Sequence, residues 1–97
     1  MIDLLLVTAP GCRFCERARR VLDDLASDLP LRWQEVSLDS EEGRRLATRW
    51  RAPFPPLLVV RDPHDEALLG HGRLSRRRLA RQLTAWSTMR EQQEAGR

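Results

Sequence analysis

Two cysteines three positions apart, Cys12 and Cys15, are the residues of this 97-residue chain whose type and spacing point most directly to chemistry. A cysteine thiolate attacks disulfides, and a second thiol at this distance can close a disulfide with the first. In a cytosolic chain such a pair is catalytic or metal-binding more often than it is a structural crosslink. The pair therefore predicts thiol–disulfide exchange, with metal binding as the alternative.

The residues around the cysteines predict that a strand leads into a helix at this point. The apolar run at 2–7 is typical of a buried strand, and the Thr-Ala-Pro-Gly sequence at 8–11 is typical of a turn. Apolar residues then recur at spacings of three and four, which predicts a helix from about Arg13 to Ser27.

This placement predicts different roles for the two thiols. Cys12 would lie at the N-terminus of the helix, where unpaired backbone N–H groups and the helix dipole stabilise a thiolate and lower the pKa of the thiol. Cys15 lies one turn further along, and its side chain points back toward Cys12. We therefore expect Cys12 to be the exposed nucleophile. Cys15 is expected to be the more buried thiol, with a higher pKa, that resolves a mixed disulfide.

The remaining sequence predicts three more strands and two more helices. The strands are expected at 31–36, 57–60 and 66–69, one helix between a cap at Asp39 or Ser40 and an end near Arg51, and the last helix after a cap at Ser75. The prolines that follow Arg51 disfavour a helical conformation there. The resulting order, β-α-β-α-β-β-α, predicts an α/β fold with a four-stranded mixed sheet covered by three helices.

The connections between the strands set the expected sheet topology. Helices join the first three strands, which predicts parallel strands linked by right-handed crossovers. A five-residue turn at 61–65 predicts that the last two strands form an antiparallel hairpin. The folded domain is expected to span residues 1–89 and to be followed by a polar C-terminal tail at 90–97.

Composition restricts the chain to the class of globular proteins. Hydrophobic residues make up 41% of it and charged residues 32%, and no apolar run approaches the ~20 residues that a membrane span requires. The run at 4–7 is too short for the core of a signal peptide, so we expect a cytoplasmic protein that does not contact membranes. The net charge is +3, but all 17 basic residues are arginine and the 14 acidic residues are interspersed among them. This pattern indicates a compositional bias rather than a nucleic-acid surface.

The sequence around the cysteines resembles that of glutaredoxins, within the thioredoxin-like superfamily. The similarity covers residues 2 to about 88 and is clearest in the Pro-Gly-Cys-x-x-Cys-Glu-x-Ala pattern at 10–18. This pattern and a later Pro-Leu-Leu are similar to those of small bacterial glutaredoxin-like proteins. The resemblance implies a thioredoxin-like fold and a dithiol–disulfide oxidoreductase, with Cys12 as nucleophile and Cys15 as its partner. It also implies a cis-proline before the third strand, for which Pro56 is the best match and Pro55 the alternative.

Four residues are expected to contact the substrate. Arg13 adds positive charge beside the first cysteine, and Phe14, between the cysteines, should be an exposed contact surface. The resemblance adds Pro55 and Pro56, because in this superfamily the segment at the cis-proline pairs with the substrate. The expected partner is a disulfide-containing protein or glutathione, with a reductase as electron donor. We expect a monomer without a tightly bound cofactor.

Three departures from the glutaredoxin pattern concern glutathione. The family places a basic residue three positions before the first cysteine, where this chain has Ala9. Pro55 has no N–H to donate to a substrate backbone. The family's Gly-Gly followed by an acidic or hydroxyl residue is replaced by Gly-His-Gly-Arg at 70–73. We therefore expect a protein disulfide, rather than glutathione, to be the natural substrate.

Other features of the sequence support alternative functions less well. A zinc site would need two more ligands, and His64 and His71 are not spaced as in zinc-binding motifs. The arginines at 76–78 are expected to form the solvated face of the last helix, and the three tryptophans to pack in or against the core. His71 is expected to fill a turn between two glycines, with a place near the active site as the alternative. The main alternative to an enzyme is a module that binds a partner protein on its Phe14–Pro56 surface without turnover.

Overall fold

A computed structural model describes the backbone of residues 1–95 and the side chains of residues 1–89. Its elements, in chain order, are β1 (Ile2–Thr8), α1 (Arg13–Asp28), β2 (Leu31–Ser37), α2 (Glu41–Arg49), β3 (Leu57–Arg61), β4 (Glu66–His71) and α3 (Arg76–Ala95). The predicted order of strands and helices is therefore confirmed. Residues 90–95 of the predicted tail belong to α3, and residues 96–97 lie outside the described part of the chain. The domain boundary at residue 89 stays a prediction.

Serine side chains cap the second and third helices, as the sequence predicts. The Ser40 Oγ accepts a hydrogen bond of 3.0 Å from the Gly43 N–H, and the Ser75 Oγ accepts one of 3.3 Å from the Arg78 N–H. Position 43 requires a glycine, because a Cβ there would lie 2.0 Å from the carbonyl oxygen of Ser37. The glycine thus lets α2 approach the end of β2 closely. No helix in residues 1–95 is both long and apolar enough to cross a membrane.

The four strands form a mixed sheet in the order β2-β1-β3-β4. β1 and β2 are parallel, and β3 and β4 form the predicted antiparallel hairpin. β3 runs antiparallel to β1, with Val7 opposite Leu57, so the predicted parallel crossover into the third strand is wrong. The seven residues between α2 and β3 bring the chain back to the edge where β2 ended, so β3 runs in the opposite direction.

Alternate residues of the central strands build one hydrophobic layer on each face of the sheet. On one face, Leu4 and Leu6 of β1 pack with buried leucines of α1 and α3. On the other face, Leu5 and Val7 pack with Leu46 of α2. The tryptophans pack against these layers and are half-buried, as the sequence predicts; they are Trp33 and Trp86 on the first face and Trp50 on the second.

The topology gathers three loops at one edge of the sheet. β1 ends at this edge and leads into the loop that carries Cys12. β3 begins there, because Leu57 pairs with Val7, and β4 ends there, because His71 pairs with Leu57. The Gly72 N–H also donates a hydrogen bond of 2.8 Å to the carbonyl oxygen of Pro56, which ties two of the loops together. We call this part of the molecule the cysteine edge and define it by residues 8–14, 51–56 and 71–75.

Candidate active site

A disulfide joins Cys12 to Cys15 at the start of α1. The two Cα atoms are 5.2 Å apart, a distance that suits a disulfide without rearrangement of the backbone. Cys12 is the N-cap residue of α1, and its Sγ accepts a hydrogen bond of 3.1 Å from the Cys15 N–H. The Glu16 N–H donates to the carbonyl oxygen of Cys12 at 3.2 Å. The first sulfur therefore lies where the N–H groups of a helix start point, as the sequence predicts.

The two sulfur-bearing residues differ in burial. Cys15 is 0% exposed and packs inside the domain, whereas Cys12 is half-buried and reaches the surface. Arg13 is exposed, and Phe14 has 50% of its surface exposed. Cys12 is therefore the cysteine that reaches the surface, and the exposed residues Arg13 and Phe14 follow it directly in the chain.

The proline segment before β3 lies at the same edge as the cysteines. The peptide bond between Pro55 and Pro56 is cis, which settles the choice between the two in favour of Pro56. Pro56 is buried and directly precedes Leu57, the partner of Val7 near the end of β1. Pro55 is half-buried and has no N–H, so its backbone can offer only a carbonyl oxygen to a bound segment.

His71 supports this segment, a contact that the sequence leaves open. The His71 Nε2 lies 2.7 Å from the carbonyl oxygen of Phe54, and because a carbonyl oxygen only accepts, this nitrogen carries the proton. The rings of His71 and Phe54 are stacked at a tilt, with centroids 4.5 Å apart. The pairing of His71 with Leu57 across β4 and β3 creates the contact. The only feature of the sequence that points to this contact is the position of the histidine, between two glycines and before the last helix.

A second group of polar side chains fixes α1 against the sheet. The Arg19 guanidinium donates two hydrogen bonds of 2.8 Å to the Glu35 carboxylate, which also accepts one of 2.7 Å from the Thr8 hydroxyl. The hydrogen bonds from Arg19, and then that from Thr8, lower the pKa of Glu35 to about 2. These side chains border an open cavity of about 380 Å³ beside Ala9 and Pro10. Since Arg19 lies one turn beyond Cys15, the contact anchors the helix that carries both cysteines.

Metal ligands are not grouped in the part of the chain whose side chains are described. Within residues 1–89, no three His, Cys, Asp or Glu side chains lie close enough together to hold an ion. His64 is exposed in the turn between β3 and β4, at the opposite end of that hairpin from His71. The two histidines are therefore not brought together.

Comparisons with known proteins identify the fold. No protein-family model and no curated protein sequence matches this chain. Among solved structures, thioredoxin-2, described as a component of the malaria parasite protein secretion machinery, is 17% identical, with a TM-score of 0.70 over 88% of this chain and 82% of its own. MTB DsbF, solved in mixed oxidized and reduced forms, is 20% identical, with a TM-score of 0.63 over 87% of this chain and 79% of its own. This chain has a thioredoxin-like fold.

A thioredoxin from Thermus thermophilus also matches this thioredoxin-like chain, with 23% identity and a TM-score of 0.64 over 89% of this chain and 73% of its own. The predicted fold class is thus confirmed, including the four-stranded mixed sheet and the three helices. Identities of 17–23% establish the fold alone. The closer assignment to small bacterial glutaredoxin-like proteins stays a prediction.

Proposed function

We propose that this thioredoxin-like protein is a dithiol–disulfide oxidoreductase that uses Cys12 and Cys15. The observation that carries the proposal is the reachable sulfur of Cys12 at the N-cap of α1, joined to the fully buried Cys15. In the reduced protein, the Cys15 N–H and the helix dipole would stabilise a thiolate on Cys12. The solved structures of similar fold include thioredoxins and a DsbF protein captured in oxidized and reduced forms, which supports the same chemistry here.

The proposed reaction has two exchange steps. The Cys12 thiolate attacks one sulfur of a substrate disulfide, forming a mixed disulfide and expelling the other substrate sulfur as a thiolate. That thiolate takes the proton of the Cys15 thiol. The resulting Cys15 thiolate attacks the Sγ of Cys12, which closes the Cys12–Cys15 disulfide and expels the second substrate sulfur, protonated by water. Two electrons pass from the protein to the substrate, and a thiol or dithiol reductase returns them in a separate reaction.

The proposed substrate is a disulfide of another protein. Arg13, Phe14 and the Pro55–Pro56 segment would form its contact surface, since Arg13 and Phe14 are exposed directly after Cys12 and the proline segment lies at the same edge of the sheet. Glutathione is the alternative substrate, and the chain lacks the basic residue before the first cysteine that glutaredoxins use to bind it. We further propose that the protein belongs to the glutaredoxin-like group, acts as a cytoplasmic monomer and holds no tightly bound cofactor.

The test is reduction of disulfides by the pre-reduced protein. We expect one equivalent of protein to release two thiols from hydroxyethyl disulfide or from insulin, and to turn over when a reductant is supplied. Running the reaction with glutathione and its reductase, and separately with thioredoxin reductase, identifies the electron donor. Thiol release by the wild-type protein no faster than by a Cys12→Ser variant would contradict the proposed function.

A further inference from the structure

The cysteine edge carries positive charge with no carboxylate in its three loops. Arg13 follows the first cysteine, Arg51 precedes the proline segment and Arg73 follows the glycine that binds Pro56. Residues 8–14, 51–56 and 71–75 contain no aspartate or glutamate. All three arginines are exposed, and they form no ion pair or side-chain hydrogen bond with another residue in the described part of the chain.

Half of the twelve arginines elsewhere in residues 1–89 are neutralised by carboxylates. Ion pairs with aspartate or glutamate are formed by Arg19, Arg32, Arg45, Arg49, Arg61 and Arg76. The other six arginines outside the cysteine edge in residues 1–89 are unpaired as well, and Glu16 in the first turn of α1 is an exposed carboxylate near the edge. What distinguishes the cysteine edge is that each of its three loops carries one unpaired arginine and no carboxylate. A cluster of uncompensated charge at a reactive sulfur attracts partners of the opposite charge.

Arg51 occupies a backbone position that normally favours glycine. Its φ is 51°, in the left-handed region that residues with a side chain seldom adopt. It follows the C-cap of α2, where the Ala52 N–H bonds to the carbonyl oxygen of Ala47 and the Arg51 N–H to that of Thr48, the pattern that most often ends in glycine. An arginine here stabilises the helix end less than glycine would. The side chain itself is therefore the feature that distinguishes this residue, and it belongs to the loop that leads into the proline segment.

Exposed aromatic rings are found at the same edge. Four large hydrophobic side chains in residues 1–89 are strongly exposed, and two of them, Met1 and Met89, lie toward the ends of the chain. The other two are Phe14, which is 50% exposed, and Phe54, which is 58% exposed. The His71 ring holds Phe54 in place by stacking and by its hydrogen bond to the Phe54 carbonyl oxygen. A fixed, exposed aromatic ring is suited to anchor a protein segment.

We propose that the cysteine edge selects acidic protein segments, in which a disulfide is flanked by carboxylates and by an apolar side chain. The proposal rests on the disulfide exchange described above and names its substrate class. Arg51 and Arg73 bind the carboxylates, and Phe14 and Phe54 contact the apolar side chain. A polypeptide is favoured over a nucleic acid, because the exposed phenylalanines and the arginines share their edge of the sheet with a disulfide-exchanging sulfur, and a nucleic acid has no disulfide to exchange.

The experiment compares peptides that differ only in charge. Each contains the same disulfide, flanked by Glu, Ser or Lys, and the rate constant for oxidation of the reduced protein is measured for each. At an ionic strength of about 0.02 M, we expect the Glu peptide to react about tenfold faster than the Lys peptide. At about 1 M, salt screens the charges, and the difference should fall below about twofold. Arg51→Glu with Arg73→Glu should reverse the order. Arg20→Glu with Arg81→Glu, which changes the net charge equally on exposed residues further along α1 and α3, should preserve the ratio.

A third variant separates binding from folding. Arg51→Gly suits the positive φ, so it should raise the urea midpoint of unfolding while it lowers the Glu-to-Lys rate ratio. Equal rates for the three peptides at low salt, with hydroxyethyl disulfide still reduced, would overturn the proposed substrate class but not the oxidoreductase. Failure to reduce hydroxyethyl disulfide would overturn the oxidoreductase itself. The surface would instead bind nucleic acid if the peptide rates were equal and the wild-type protein retained a labelled oligonucleotide that the variant with Arg51→Glu and Arg73→Glu did not retain.

Discussion

A Cys15→Ser variant should accumulate as a mixed disulfide with its substrate, whereas a Cys12→Ser variant should form none. Without the Cys15 thiol, the bond between the Cys12 sulfur and the substrate cannot be resolved from within the protein. Without Cys12, the remaining thiol is fully buried and an incoming disulfide cannot reach it. We expect disulfide reduction by Cys12→Ser to fall by about two orders of magnitude or more, because the reaction needs an accessible thiolate. Intact mass measured under non-reducing conditions detects the trapped species.

The same pair of variants separates an enzyme from a binding module. A module that holds its partner on the Phe14–Pro56 surface would bind it equally well after either substitution, and a thiol reductant would not release it. An oxidoreductase yields covalent partners only with Cys15→Ser, and dithiothreitol releases them. Equal, thiol-insensitive capture by both variants would favour the module and contradict the proposed exchange.

A Glu66→Gln substitution should destabilise the protein by about 2–3 kcal/mol at neutral pH. The carboxylate of Glu66 is only 8% exposed, and Arg45 donates hydrogen bonds of 2.8 and 3.1 Å to its two oxygens. Arg49 pairs with the same carboxylate, and Arg61 lies 3.5 Å from it. A neutral amide removes the buried charge that the three guanidinium groups share, and leaves them only the more exposed carboxylates of Glu42 and Asp65. Urea unfolding at pH 7 measures the difference, and a loss below about 0.5 kcal/mol would contradict this account.

The destabilisation by Glu66→Gln should depend on pH with a defined sign. The hydrogen bonds from Arg45 outweigh burial and, with those from Arg49, lower the pKa of Glu66 from 4.5 to about 2. A lowered pKa stabilises the folded state above the unfolded-state value and ceases to do so as the pH falls through the folded-state value. The stability difference between wild type and variant should therefore be full above about pH 5 and shrink toward pH 2. Glu41→Gln, an exposed residue of α2, is the matched control and should change stability by about 0.5 kcal/mol or less.

The features that could be predicted from the sequence are those that local patterns determine. The change from an apolar run to spacings of three and four located the start of α1, and with it Cys12 at the N-cap. Ser40 and Ser75 precede their helices as capping residues commonly do. The resemblance to glutaredoxins correctly led to a cis-proline at Pro56, a feature that composition and periodicity could not have located.

The direction of β3 could not be derived in the same way. The crossover rule gives the handedness of a connection between parallel strands and does not decide whether the strands are parallel. The predicted end of α2 near Arg51 is within two residues of the observed end at Arg49, but no pattern specifies the path of the seven residues that lead back to the cysteine edge. The error matters for the site, because the antiparallel direction is what places the Pro55–Pro56 segment beside the end of β1.

Contacts between residues far apart in the sequence were also beyond prediction. The stacking of His71 on Phe54 spans 17 positions, and the bonds from Arg19 and Thr8 to Glu35 span 16 and 27. Each depends on strand register, which no pattern in a single sequence specifies. The charged residues involved looked like ordinary surface positions until the sheet brought them together.

The measurement that tests the central claim most directly is the ionisation of Cys12 in the reduced protein. Thiolate absorbance in the ultraviolet is recorded against pH for the Cys15→Ser variant, which leaves Cys12 as the sole thiol of the chain. Because its sulfur lies at the N-cap of α1 and accepts the Cys15 backbone N–H, we expect a midpoint roughly one pH unit or more below that of glutathione in the same buffer. A midpoint equal to or above that of glutathione would contradict the claim that the helix start activates this sulfur.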